Sequence, residues 1–231
     1  MYYPMMGTTD IFYLLTIVLF VVSLICSGIV KSRFSRYAKD RTANGMTGAL
    51  AAERILRANG ISDVAIVQVQ GTLSDNYNPG NRTLNLSQAV YSGQNVSAVA
   101  VAAHECGHAI QHAQAYPLLM LRKALVPICN IGSIGSYIAI LLGIMFSWSG
   151  LITLGAILFS GIVLFNLVTL PVEVDASRRA LAEVDRLGLL TDEEKVGGRK
   201  VLTAAGMTYF ISLVTSIVQL LRLLSLSDRR R

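Results

Sequence analysis

The chain has 231 residues, 53% of them apolar and only 15% charged, with a net charge of +6 and a mean hydropathy of +0.53. Sparse charge excludes a disordered chain, 19 Gly and 5 Pro without a period exclude a collagen-like repeat, and 3 Cys are too few for a secreted disulfide scaffold. A membrane protein whose thiols suit a reducing compartment remains, and basic residues scattered without interleaved aromatics argue against nucleic acid as a partner.

A bilayer core about 30 Å thick needs roughly 20 apolar helical residues. The first such window, Ile11 to Val30 between Asp10 and Lys31, lacks the basic leader and small-residue cleavage site of a signal peptide. Residues 1–30 therefore predict an N-terminal transmembrane anchor.

Residues 31–123 are more polar. Thr47 predicts a helix cap, with Asn59-Gly60 as the C-terminal stop. Ala65 to Gln70 and Thr83 to Ser87 alternate apolar and polar residues, predicting two half-buried strands around a turn at Asp75-Asn76-Tyr77-Asn78-Pro79-Gly80. Ser97 onward is an Ala/Val-rich helix reaching Ala115, before Pro117.

Between Lys123 and Glu173 lie 49 residues without a charge, enough for two spans joined at Ser147-Trp148-Ser149-Gly150. Residues 124–170 thus predict a transmembrane hairpin and 171–200 a cytoplasmic helix, with Pro171 suited to its first turn. Residues 201–231 hold a last membrane helix, Val201 to Leu221, and a basic tail. Loops 31–123 and 171–200 carry ten and six Lys/Arg while residues 1–10 carry none, so both loops are placed in the cytoplasm. A fourth complete span would leave Arg222, Arg229, Arg230 and Arg231 outside, so either the last helix is re-entrant or the basic tail is tolerated there.

The chemistry lies in His104-Glu105-Cys106-Gly107-His108. Two histidines four apart share one helix face, about 6 Å apart along the axis, and can bind one zinc ion, while Glu105 beside them can take a proton from activated water and deliver it to a departing amine. Two of the chain's 3 His fall in this one turn. Cys106 points away from that face. His112, eight residues from His104, is a rise of about 12 Å away, too far to share the ion, and is expected at the surface, behind the ligands or hydrogen-bonded to substrate. The third ligand is sought in Pro171-Val172-Glu173-Val174-Asp175-Ala176-Ser177-Arg178-Arg179. Glu173 is the choice and Asp175 the alternative, which otherwise orients a histidine. Both acids could instead serve the helix dipole or pair with Arg178 and Arg179.

Ala102 to Gln111, Leu84-Asn85-Leu86-Ser87 before Val90-Tyr91, and Leu170 to Ser177 together resemble the YugP-like neutral zinc metallopeptidases of bacterial membranes, over nearly the whole length. That family is similar in plan to the HtpX-type membrane proteases, gluzincins whose third ligand is a Glu on a helix after a transmembrane hairpin. The resemblance implies a multi-pass bacterial membrane protease with its site facing the cytoplasm. The expected fold is mainly α, with about four transmembrane helices and a small α+β cytoplasmic zincin-like catalytic domain. The family's turn reads Asp-His-Tyr-Asp-Pro; Asn76 and Asn78 replace its His and second Asp here, so any role of that imidazole is absent.

The expected activity is that of a zinc metalloendopeptidase acting on peptides or proteins, membrane proteins included; its other expected partners are the lipid bilayer that anchors it and a regulatory membrane partner or a second copy of itself. An exposed edge of Thr83–Ser87, including Asn85, would hold an extended substrate by backbone hydrogen bonds. Tyr77, Tyr91, His112 and Arg178 can each stabilise an oxyanion, and sequence does not choose among them. Two other readings stand beside this one: a protease cleaving within the membrane, and a non-catalytic scaffold tied together by zinc.

Overall fold

The computed structural model describes residues 8–228, so the expected tail cations Arg229, Arg230 and Arg231 lie outside the described residues. In chain order the elements are α1 (Thr8–Tyr37), α2 (Gly48–Ala58), β1 (Ala65–Val69), β2 (Asn76–Asn78), β3 (Thr83–Ser87), α3 (Gln88–Tyr91), α4 (Val96–Ala113), α5 (Pro117–Met145), α6 (Ser149–Arg186) and α7 (Asp192–Asp228). The fold is mostly helical with one small sheet. Among the described residues, four helices are long and apolar enough to cross a membrane: Ile11–Tyr37, Pro117–Met145, Ser149–Arg186 and Asp192–Asp228. The described residues divide into two compact units, one of residues 8–25, 121–170 and 208–228, the other of 26–120 and 171–207.

The first unit is built from small residues at close helix contacts. Ser136 Oγ donates to Gly155 O at 2.8 Å, and a side chain at Gly155 would meet Ile140 Cγ1 at 2.5 Å. Such close backbone approach is how helices associate where apolar burial gives little driving force. Arg222 stacks 4.2 Å over the Tyr13 ring, and Ile131, Tyr137, Leu141 and Met145 on α5 are exposed. An apolar exterior of that kind suits lipid.

In the second unit, Thr47 Oγ1 accepts from Leu50 N at 3.1 Å and starts α2. At its end Gly60 takes φ +68°, while Gly60 N donates to Arg57 O and Ile61 N to Leu56 O, a left-handed stop that needs no side chain. Asn95 Oδ1 caps α4 through Ala98 N at 2.9 Å. Ala51, Ala52 and Ile55 of α2 and Ala102, Ala103 and Cys106 of α4 are buried in one core, so the smallest side chains set how near these helices lie. On another side of α4, Gly107 meets α6, where an added Cβ would stand 2.4 Å from Ala176 O.

The sheet corrects two expectations. Its order is β1-β3-β2, with β1 parallel and β2 antiparallel to β3, Tyr77 facing Leu84. The segment read as a turn around Tyr77 is therefore itself a strand. Thr83–Ser87 is the central strand and not an exposed edge; Leu84 and Leu86 are fully buried and both its sides are paired. A turn-rich composition concealed β2 because long-range pairing overrode local preference: Asp75 accepts from Ser87 N at 2.7 Å and Ser87 Oγ at 3.1 Å, holding the start of β2 against the end of β3. Burial lifts the Asp75 pKa, against the pull of those Ser87 donors.

One helical expectation also changes. Pro171 does not open a helix but lies within α6, which runs unbroken for 38 residues. An interior proline costs roughly 3 kcal/mol through its missing N–H and its clash with the preceding turn. Buried Val168, Thr169 and Val172 on either side hold the helix through it. α7 is one continuous helix of 37 residues.

Gly107→Ala should destabilise the protein. Overpacking against backbone costs about 1–3 kcal/mol, whereas alanine recovers only about 1 kcal/mol of helix propensity. The expected readout is a melting temperature lowered by several degrees in detergent; an unchanged or raised value would show that α4 and α6 can separate at no cost.

Candidate metal centre

The helix spacing of His104 and His108 brings their rings to 4.8 Å between centroids, edge to face. Glu173 reaches them from α6, one turn before the Ala176 contact with Gly107. Its Oε2 lies 3.2 Å from His104 Nε2 and 3.5 Å from His108 Nε2, and the three donor atoms lie within 4.8 Å of one another. Ligand atoms ~2.0–2.1 Å from a tetrahedral zinc stand about 3.3–3.4 Å apart, so the spacings to Glu173 suit a common ion. Two imidazoles and one carboxylate are also a donor set of catalytic zinc, which leaves a fourth position open.

Glu173 is only 2% exposed, and His108 and Glu105 are each 8% exposed. Burial opposes the charged form of His108. The Glu173 hydrogen bond and the negative charges of Glu105 and Glu173 outweigh it and hold the imidazole pKa above its ordinary value. A buried group of this charge favours a cation, whether a proton or a metal.

Each far ring nitrogen has its own partner. His104 Nδ1 is 3.1 Å from Ser177 Oγ, and His108 Nδ1 is 3.0 Å from Gln111 Oε1. Gln111 Nε2 donates to Val172 O at 2.8 Å and to Asp175 Oδ2 at 2.9 Å. Asp175 is thus outside the triad, bound also by Arg179 Nε at 2.5 Å and Arg178 Nη2 at 3.3 Å. Gln111 and Ser177 each close a segment that carries the family resemblance, but neither was given a role from the sequence; the one local signal was Gln111 one turn beyond His108.

Glu105 does not join the three donors. Its Oε2 accepts the Tyr77 backbone N–H at 2.9 Å, because the inner side of β2 pairs with β3 and this N–H points outward. Tyr77 Oη pairs with His112 Nδ1 at 2.8 Å, so His112 lies beside β2 and not among the donors. Asn85 Nδ2 donates to Asn76 Oδ1 at 3.0 Å, and Tyr91 packs against the core. The Arg178 side chain is 81% exposed. Cys106 is fully buried, its thiol directed at Ala52 O and its pKa pushed well up by that burial.

Residues 12–228 match the model of a family described as "putative neutral zinc metallopeptidase". The chain is also 42% identical over 212 residues to "Putative membrane protease YugP" of Bacillus subtilis (strain 168), covering 92% of this chain and 94% of that protein. No solved structure matches it.

Removing the carboxylate by Glu173→Gln should lower zinc affinity by more than the roughly 10–100-fold that loss of an outer partner costs. Competition with a chromogenic chelator measures this directly, and undiminished affinity would remove Glu173 from the ligand set.

Proposed function

Because the chain belongs to the neutral zinc metallopeptidase family, we propose that it is a membrane-anchored zinc endopeptidase with Glu105 as general base. The observation that carries this reading is the convergence of Glu173 on His104 and His108, with a separately held carboxylate, Glu105, beside them. His104, His108 and Glu173 would hold the zinc ion, which when bound would supply Lewis acidity toward water and a peptide carbonyl.

The protein's own groups divide the remaining work. The Tyr77 N–H fixes one oxygen of Glu105, leaving Oε1 to take the proton of the attacking water and pass it to the leaving amine nitrogen. In an antiparallel strand the N–H and C=O of one residue point to the same side, so the Tyr77 carbonyl lies on the free edge of β2. A substrate backbone N–H donating to it would run an extended peptide past Glu105. β2 therefore takes the substrate-holding role that the central position of β3 denies to Thr83–Ser87, and Asn85 acts only through Asn76. Of the four oxyanion donors considered, Arg178 is engaged by Asp175 and Tyr91 packs in the core; the Tyr77–His112 pair beside Glu105 is the better placed.

The basic loops 31–123 and 171–200 support a cytoplasmic site in a multi-pass bacterial membrane. Peptides and membrane proteins are the proposed substrate class, and a second copy or a regulatory membrane partner is the proposed associate. α4 is not among the four described helices apolar and long enough to span, which disfavours cleavage inside the bilayer.

Glu105→Gln should reduce peptide turnover about 10²–10⁴-fold while zinc content and fold persist. Undiminished turnover in that variant would sink the proposed mechanism, and turnover absent from the unaltered protein would favour a zinc-tied scaffold. Asn78→Cys, on the exposed face of β2, should react with a membrane-impermeant maleimide only after cells are opened. Labelling of intact cells would reverse the orientation.

A further inference from the structure

Gln111 is fully buried, and every polar atom of its side chain is engaged. An amide has two N–H donors on one side and only acceptor capacity on the other. Val172 O can only accept, and Asp175, bound by Arg178 and Arg179, is an ionised acceptor. Both lie within 2.9 Å of the same Gln111 nitrogen, so the NH₂ must face them and Oε1 must face His108. Oε1 donates nothing. The His108 nitrogen 3.0 Å away must therefore carry a proton, so whenever the ring is neutral its lone pair is on Nε2, the nitrogen 3.5 Å from Glu173.

We propose that Gln111 is a positioning residue that sets the tautomer of His108, presenting Nε2 to the zinc ion and making that choice depend on the docking of α6. Neutral histidine in water favours the opposite tautomer, with the proton on Nε2, so the selection is work the protein must do. Ser177 cannot do the same for His104, since a hydroxyl donates or accepts with equal ease. The two ligands are thus unequal: one is fixed by a one-way donor chain from Asp175 and Val172 through Gln111, the other only steadied. The same amide links the backbone and acidic side chain on either side of Glu173 to a histidine on α4, so the third ligand and His108 are set by one contact.

This inference rests on His104, His108 and Glu173 being the zinc ligands, and the test separates the two. The full chain in detergent, labelled with ¹⁵N-histidine, contains only 3 His to assign. In the zinc-loaded protein a slowly exchanging Nδ1–H signal is expected, assigned to His108 by its disappearance in His108→Ala. Gln111→Met keeps the length of the side chain but offers no acceptor oxygen. It should lower zinc affinity about 10–100-fold, as loss of an outer-shell partner does, and should make that proton exchange rapidly.

A Gln111→Met protein that retains both the slow proton and the affinity overturns the proposal. Should that variant not fold, the unaltered protein still decides, because a His108 protonated on Nε2 or ligating through Nδ1 also overturns it. If His108→Ala binds zinc as tightly as the unaltered protein, the ligand assignment itself is wrong. That failure is distinct from an unchanged Gln111→Met.

Discussion

The site depends on how closely α4 and α6 can approach, and Gly107 sets that distance. Any side chain there would strike the Ala176 backbone, one turn along α6 from Glu173. Helix axes normally lie 8–10 Å apart, with the separation set by the residues at the contact. A glycine facing an alanine backbone belongs at the short end. That approach lets a short carboxylate side chain reach two imidazoles at 3.2 and 3.5 Å while remaining almost fully buried. Burial of an unpaired carboxylate costs several kcal/mol, so the packing would be unfavourable without the positive or polar groups it brings together. Packing and site therefore require each other.

The same mutual dependence explains what could be read from the sequence. The histidine pair and Glu105 were legible because their relation is local, fixed by one helical turn. The ends of α2 were legible for the same reason, since a Thr cap and an Asn-Gly stop act within a few residues. Glu173 could be chosen only by its place after the hairpin, with Asp175 left as an alternative. Their separation depends on which turn of α6 meets Gly107, a fact of packing. β2 was hidden because Asn, Pro and Gly carry turn signals, while its pairing comes from β3, itself fixed by burial of Leu84 and Leu86. Pro171 misled in the other direction: its local preference for a first turn is weaker than burial on both sides of it. Gln111 read as an ordinary polar position because its three partners are a histidine one turn away and two acceptors 61 and 64 residues away.

The electrostatics carry the argument one step further. Glu173 and Glu105 put negative charge beside His108, and together with the Glu173 hydrogen bond this charge outweighs the burial that disfavours an imidazolium. The pocket therefore has affinity for positive charge before any particular cation is specified. A proton satisfies it at one point, on a ring nitrogen. A zinc ion would satisfy it at three donors and would need both imidazoles to present lone pairs, so proton and metal would compete for the same nitrogens. Fixing the other His108 nitrogen as a donor assigns the competition to Nε2 alone. Glu105, held away by the Tyr77 N–H, contributes its charge to the field without occupying a ligand position. That separation leaves two nearby carboxylates in different settings: one is surrounded by imidazoles, the other is anchored by a backbone donor, and the proposed proton transfer rests on that difference.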